Sequence, residues 1–284
     1  MNRQQLVEQI FLKRSYLCIG LDSDNEKIPS HLLKSEDPVF EFNKQIIDST
    51  RDLCVGYKIN TAFYESAGVK GWQTMEKTVS YIGDAHLVIA DAKRGDIGNT
   101  SSQYAKAFFE TIPFCAITVA PYMGHDSVKP FLQYANKWTI LLGLTSNPGA
   151  EDFEMKKIII ESETLDEGVH IKNSSQKFLY EHVLQTAAGW GSEENLMFVI
   201  GATQAAEFIN IRKIVPNHFF LVPGIGAQGG SLKEISAKAM TPDCGLLVNA
   251  SRSVIFASAA KDFADAARTE AKKYQAEMDS YLPR

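Results

Sequence analysis

Nowhere in this sequence do eighteen apolar residues run together, so it offers no segment able to cross a membrane as a helix. The opening MNRQQLVEQIFLKRSYL likewise holds no apolar stretch of signal-peptide length, and a soluble, cytoplasmic protein is expected. Cysteine is sparse. Cys18, Cys54, Cys115 and Cys244 stand singly beside apolar neighbours, without CxxC spacing or histidines at metal-ligand spacing, and read as reduced, buried thiols. Basic clusters are missing too: 29 Lys and Arg are scattered among 34 Asp and Glu, for a formal net charge of -5. That leaves no electrostatic footprint for nucleic acid or an anionic membrane, and any anionic ligand must be held by local groups. Pro/Gly/Ser-rich linkers, low-complexity tracts and strong internal repeats are also lacking, which argues for a single domain. With 45% of 284 residues hydrophobic, that domain can build a sizeable core.

What the sequence does contain is a series of eight apolar runs, each ending in polar or glycine-rich residues. They span Tyr16 to Asp22, Leu53 to Ile59, His86 to Ala92, Cys115 to Ala120, Trp138 to Thr145, Leu196 to Gly201, Phe219 to Pro223, and Gly245 to Asn249. Short apolar runs rich in β-branched residues suit strands buried on both faces. Segments with helical spacing lie between them: Tyr104, Phe108, Phe109 and Ile112 form one stripe, Leu179, Val183, Leu184 and Ala187 another, and Phe263, Ala267, Tyr274 and Met278 a third. Strand and helix in alternation imply a parallel sheet with crossover helices, and eight such units match a (β/α)8 TIM barrel of the α/β class. A doubly wound open sheet stays open as an alternative, because periodicity does not reveal closure. One interval, Gly143 to Leu196, is too long for a crossover alone, so an insertion is expected at about residues 150–171, as a hairpin or lid or as a plain surface excursion.

Charge is concentrated where the third run ends. In HLVIADAKRGDIGNT, Asp91, Lys93, Arg94 and Asp96 arrive together, with Asp91 and Lys93 two apart and so on one side of the strand. Gly95 and Gly98 then turn the chain toward a helix that Asn99 or Thr100 is placed to cap. By itself such a cluster is also what keeps a strand end soluble. In a barrel, however, function sits at the carboxyl ends of the strands, and the other ends supply matching groups. They carry Asp22, Lys58, Thr145-Ser146-Asn147-Pro148-Gly149, Pro223-Gly-Ile-Gly-Ala-Gln228-Gly-Gly and Asn249-Ala-Ser251-Arg252. Taken singly, Asp22 reads as a helix cap and Lys58 as a snorkelling surface lysine. Taken together they line one cavity.

The last two segments read as an anion seat. Glycines at 224, 226, 229 and 230 let backbone N–H groups approach a phosphate, and Arg252 adds a two-pronged guanidinium. The same glycines spell GxGxxG, but a dinucleotide fold wants an acid about 20 residues later and further βα units. This chain offers Asn249 and a single remaining helix, so the fingerprint is read as accidental.

DAKRGDIGNT, the GLD ending the first run, YKIN at the second, TSNPGA at the fifth, VPGIGAQGG at the seventh and SRS at the eighth together resemble orotidine 5'-phosphate decarboxylase in its longer bacterial form. The likeness touches most strand ends from Asp22 to Arg252. DxKxxD alone is shared with related sugar-phosphate enzymes, whereas its combination with Lys58, SNPG and PGxGAQGG is specific. The resemblance implies metal-independent and cofactor-free conversion of orotidine 5'-phosphate to uridine 5'-phosphate in pyrimidine biosynthesis, by a homodimer with shared active sites. It implies that Asp22 and Lys58 hold the ribose hydroxyls, Ser146 contacts the pyrimidine, and Pro223, Gln228 and Arg252 form the phosphate end. Asp91 and Lys93 would face the carboxylate and C6, with Lys93 as proton donor, while Asp96 and Thr100 would enter the neighbouring subunit's site. One departure stands at Ser251, where many members have Gly.

Rival chemistries leave their own marks. A Mg²⁺-dependent sugar-phosphate decarboxylase or aldolase of the same barrel type needs carboxylates free of competing cations, and Lys58 and Lys93 among the acids oppose that. A Schiff-base aldolase needs a neutral lysine, which flanking acids disfavour. A non-catalytic nucleotide-binding barrel would bind substrate and product alike and turn over neither.

Overall fold

The computed structural model describes residues 1–166, 169–226 and 229–284, with side chains described outside 162–173 as well. Each of the eight apolar runs forms a strand: β1 (Leu17–Gly20), β2 (Gly56–Asn60), β3 (Leu87–Arg94), β4 (Ala116–Val119), β5 (Trp138–Leu144), β8 (Leu196–Ile200), β9 (Phe220–Pro223) and β10 (Leu246–Ala250). Between β5 and β8 the chain adds β6 (Lys157–Asp166) and β7 (Val169–Phe178). β1 pairs in parallel with β2, Gly20 opposite Lys58, and also with β10, Leu17 opposite Val248. The sheet therefore closes, in the order β1-β10-β9-β8-β5-β4-β3-β2, and the open doubly wound alternative is excluded. The barrel sheet leaves no edge to cover, and its strand residues, apart from the polar end of β3, are almost all buried on both faces, as the near-continuous apolar runs require.

The helices pack one face each against this barrel. Leu184 and Ala187 of helix Leu179–Ala187 are fully buried, as are Phe263, Ala267 and Met278 of helix Phe263–Asp279. The stripe from Tyr104 to Ile112 straddles helix Gly98–Lys106 and a π-helical turn at Ala107–Thr111, whose extra residue lets adjacent Phe108 and Phe109 both face inward. The capping expectation fails here. The helix begins at Gly98 with Ile97 as its cap and no side-chain cap bond, leaving Asn99 and Thr100 inside its first turn. Ser101 ties the turn instead, its Oγ accepting from the Asp96 amide at 3.2 Å.

In the long interval, β6 and β7 form an antiparallel ladder from Lys157 opposite Phe178 to Asp166 opposite Val169. Its base is fixed by backbone bonds from Leu179 to Lys156 and from Tyr180 to Glu154, 2.8 and 2.9 Å long.

Register places the charged strand ends side by side: Asn60 lies opposite Asp91, and Asn249 opposite Pro223. The loop leaving β1 is locked by a buried polar knot around Asn43 of helix Pro38–Thr50. Ser23 Oγ donates to Asn43 Oδ1 at 2.6 Å, Asn43 Nδ2 donates to Tyr64 OH at 2.9 Å and to Thr78 Oγ1 at 3.2 Å, and Tyr64 OH donates to the Leu21 carbonyl at 3.1 Å. Leu21 and Ser23 flank Asp22, so the knot fixes that carboxylate from outside the barrel. Asn43→Ala strands several buried partners at once, each worth about 1–3 kcal/mol when left unpaired. The variant should unfold at clearly lower urea concentration than the parent, and an unchanged midpoint would show the knot to be dispensable.

Candidate active site

Four side chains of alternating charge run across the barrel mouth. Lys58 Nζ lies 3.5 Å from Asp22 Oδ1 and 2.8 Å from Asp91 Oδ2, and Lys93 Nζ lies 2.6 Å from Asp91 Oδ1. Lys58 is 4% exposed, so the snorkelling reading is wrong: its ammonium lies inside, held by the two acids. Lys93 keeps about half of its side chain in solvent, where a substrate can reach it. Asp91 is the centre of the row, and its Oδ1 also accepts from Thr118 Oγ1 at 3.1 Å.

Those contacts set the charge states. Burial alone would raise the Asp91 carboxyl, but the ammonium groups of Lys58 and Lys93 outweigh it and hold the carboxyl well below the usual carboxylate range. Burial disfavours the charge on Lys58, and Asp22 and Asp91 more than restore it, so its ammonium is pushed up.

Beside this row opens a cavity of about 160 Å³. Asp22, Lys58 and Asp91 line one side, and Pro223, Gly224, Ile225, Ser251, Arg252 and Ser253 the other, with Asn60 and Asn249 between. A larger concavity of about 790 Å³ lies on the outside, between helices Pro38–Thr50 and Gly68–Ile82, away from the strand ends. Size therefore does not select the site; convergent charge does. At the glycine-rich end, a Cβ on Gly226, whose φ is 77°, would fall 2.7 Å from the hydroxyl of Tyr274. That hydroxyl lies 3.1 Å from Ser253 Oγ, so the C-terminal helix braces both the glycine-rich turn and the segment after β10.

The sequence-derived residues distribute as follows. Asp22, Lys58, Asp91, Pro223 and Arg252 line the cavity, and Lys93 stands on Asp91. Ser146 lies in the loop after β5, where Gly201 is required: a Cβ there would fall 2.6 Å from the Ser146 amide nitrogen. That loop is tied by Glu154, whose carboxylate accepts from the Thr145 amide at 2.6 Å. Asp96 lies half-buried on the outward turn after β3, and Thr100 is exposed in the first turn of helix Gly98–Lys106. Among the described residues Asp96 meets no cation; its Oδ1 accepts from the Ile97 amide at 2.8 Å. Gln228 falls outside the described residues.

Several residues carry more than the sequence suggested. Asn60 was legible only as part of a strand end, and Thr118 only as strand filler. Asn249 Oδ1 and Ser251 Oγ are buried at the cavity wall with no hydrogen-bond partner among the described residues, which marks that wall as built for polar contacts.

The Orotidine 5'-phosphate decarboxylase / HUMPS family model matches residues 15–269. The chain belongs to that family. An orotidine 5'-phosphate decarboxylase of Flavobacterium johnsoniae is 57% identical over 98% of this chain and 97% of its own length, and one of Phocaeicola vulgatus is 54% identical over 99% of both. Among solved structures, the OMP decarboxylase of Leishmania donovani superposes with a TM-score of 0.78 at 32% identity, covering 99% of this chain and 98% of that one. The likeness thus runs over nearly the whole chain.

The depressed Asp91 carboxyl has a measurable consequence. Unfolded, it titrates near about pH 3.9, so its contribution to stability is complete above about pH 5 and fades as pH falls toward the folded value. Unfolding free energy should therefore drop less steeply between about pH 5 and pH 3 in Asp91→Asn than in the parent. Parallel slopes would show that the carboxyl is not depressed.

Proposed function

We propose that this chain decarboxylates orotidine 5'-phosphate to uridine 5'-phosphate, with Lys93 as the proton donor. The observation that carries the reading is the Asp91 carboxylate held between two ammonium groups, one buried and one half-exposed. Loss of CO₂ from C6 of the pyrimidine breaks a C–C bond whose electron pair stays on C6, with no adjacent carbonyl placed to delocalise it. The Lys93 ammonium stabilises that developing charge and then gives up its proton, forming the C6–H bond. The resulting amine takes a proton back from water. Asp91 faces the substrate carboxylate and repels it until CO₂ departs, a ground-state effect that adds to the stabilisation by Lys93.

The far end of the cavity handles the phosphate. Arg252 begins the short helix Arg252–Ile255, facing the glycine-rich turn after β9, and Gln228 joins it in this reading. Asp22 and Lys58 hold the ribose hydroxyls and Ser146 the pyrimidine. Phosphate binding remote from C6 supplies energy for closing the site, so these groups act on turnover as well as affinity. The near-full-length relatives named for this reaction support the assignment over a Mg²⁺-dependent aldolase or a silent nucleotide-binding barrel. Four free thiols, three of them buried, fit a reducing, cytoplasmic setting.

A shared-site homodimer is part of the same reading. Among the described residues Asp96 meets no cation, and its neighbour Ile97 is 59% exposed. Tyr122, on the next loop, is 92% exposed, and Phe153, following β5, is 68% exposed. A second copy covers this apolar rim and brings Asp96 and Thr100 to the partner's site.

Two experiments test the reading. Purified protein should consume orotidine 5'-phosphate in EDTA as fast as without it, and Lys93→Ala should lose nearly all turnover while still binding uridine 5'-phosphate; turnover within tenfold of the parent would remove Lys93 as the acid. For the dimer, Lys93→Ala and Asp96→Ala subunits are mixed after dissociation, with hybrids confirmed by mass. Random reassortment makes half the dimers hybrid, each with one intact site of two, so about a quarter of parental activity should return. Activity that stays at the average of the two variants would place Asp96 in its own subunit's site.

A further inference from the structure

Thr118 is the one polar residue of β4 and is 1% exposed. Its hydroxyl touches both members of the catalytic pair. The Lys93 backbone N–H donates to Thr118 Oγ1 at 2.9 Å, and Thr118 Oγ1 donates to Asp91 Oδ1 at 3.1 Å. The directions are fixed, since an amide only donates and a carboxylate only accepts, and one hydroxyl can serve both contacts at once. The oxygen it reaches on Asp91 is the same one that receives Lys93 Nζ at 2.6 Å. Lys93 is thereby gripped twice, at its backbone by Thr118 and at its ammonium by the oxygen Thr118 orients.

The grip falls where the sheet is irregular. The β3–β4 register shifts between Ala90 and Arg94, and inside that shift Lys93 takes a φ of 47°, in the left-handed region that side chains with a Cβ rarely adopt. The Thr118 hydroxyl takes the Lys93 amide across the irregularity. We propose that Thr118 is a positioning residue for the proton donor, holding Lys93 in its left-handed conformation and keeping Asp91 aimed at its ammonium. The proposal rests on the reading of Lys93 as the acid. It also gives Thr118 a task during turnover: once the proton has gone to C6, Lys93 no longer holds Asp91 by charge, and Thr118 and Lys58 keep the carboxylate in place until the amine is reprotonated.

Three variants separate this role from simple filling of the barrel. Thr118→Val keeps the shape and loses both hydrogen bonds, Thr118→Ser keeps the hydroxyl, and Thr118→Cys, with a much weaker donor, stands in for valine if valine prevents folding. The expected result is a kcat about 10- to 100-fold lower for Thr118→Val, with the Kd for uridine 5'-phosphate within about threefold of the parent. Thr118→Ser should recover kcat to within about threefold of the parent. Hydrogen exchange at the Lys93 amide, which does not depend on the reaction, should quicken at least about tenfold in the valine variant and not in the serine one. Parental kcat in Thr118→Val, equal losses of kcat and nucleotide affinity, failure of serine to rescue, or unchanged amide exchange would each overturn the proposal. If the parental chain leaves orotidine 5'-phosphate untouched, the reading of the reaction falls, and the exchange measurement still decides whether Thr118 holds Lys93.

Discussion

The site depends on one carboxylate held between two ammonium groups. Asp91 gives one oxygen to Lys58 and the other to Lys93, and Asp22 stands beyond Lys58, so each charge in the row is flanked by its opposite. Compared with apolar side chains of similar volume, such a row is a weak source of fold stability. Taking charges out of water costs several kcal/mol per ion, which mutual attraction returns only when the geometry is good. What it supplies is constraint. Lys58 is the buried member that two acids share, so removing it would leave Asp22 without its ammonium and Asp91 with the half-exposed Lys93 alone, and the row is thereby confined to one arrangement. The barrel register does the confining, since β1, β2 and β3 are successive neighbours in the closed sheet.

Around that row the structure divides its supports by direction. From outside the barrel, Asn43 and Tyr64 fix the chain on either side of Asp22. From the inserted segment, Glu154 fixes the loop that carries Ser146, while its own backbone holds the base of the β6–β7 ladder. From the C-terminal helix, Tyr274 fixes the glycine-rich turn and Ser253. These supports belong to three separate elements, so the charged row and the glycine-rich end of the cavity are held independently. In the proposed reaction, rigid placement of both ends would let binding at one be felt as reaction at the other.

What could be read from the sequence follows from the same physics. The eight strands were legible because both faces are buried, which forces continuous β-branched runs; barrel closure was not, because it lies in the pairing of Leu17 with Val248, which no local period encodes. Asp22, Lys58, Asp91 and Lys93 stood out because charge directly after an apolar run is costly to place by accident. The burial of Lys58 was hidden, since a lysine that snorkels and one that is ion-paired look alike until their neighbours are known. Thr118 was invisible for the opposite reason: threonine is a natural strand residue, so its hydroxyl gives no signal within Ala116–Val119. The cap assigned to Asn99 or Thr100 failed because Gly98, at a φ of 43°, starts the helix earlier than polar residues alone suggest.

The left-handed turn at Lys93 joins these threads. In a regular strand, side chains two apart stand parallel and their ends do not converge, yet Lys93 Nζ sits 2.6 Å from the carboxylate two residues earlier. The register shift after Ala90 and the positive φ at Lys93 accompany that approach, and then release the chain outward toward Asp96. A strained backbone of this kind costs about 1–3 kcal/mol and persists only where its surroundings over-determine it. Here Thr118 takes the Lys93 amide, Arg94 donates to the Ala92 carbonyl at 2.9 Å, and the Ala120 amide donates to the Arg94 carbonyl at 2.8 Å. Arg94 is itself held by Glu65 and lies against the rings of Tyr104 and Phe108. Glycine at position 93 would relieve the strain and remove the ammonium. The chain keeps lysine there, and the surrounding contacts hold a conformation that the residue alone would not choose.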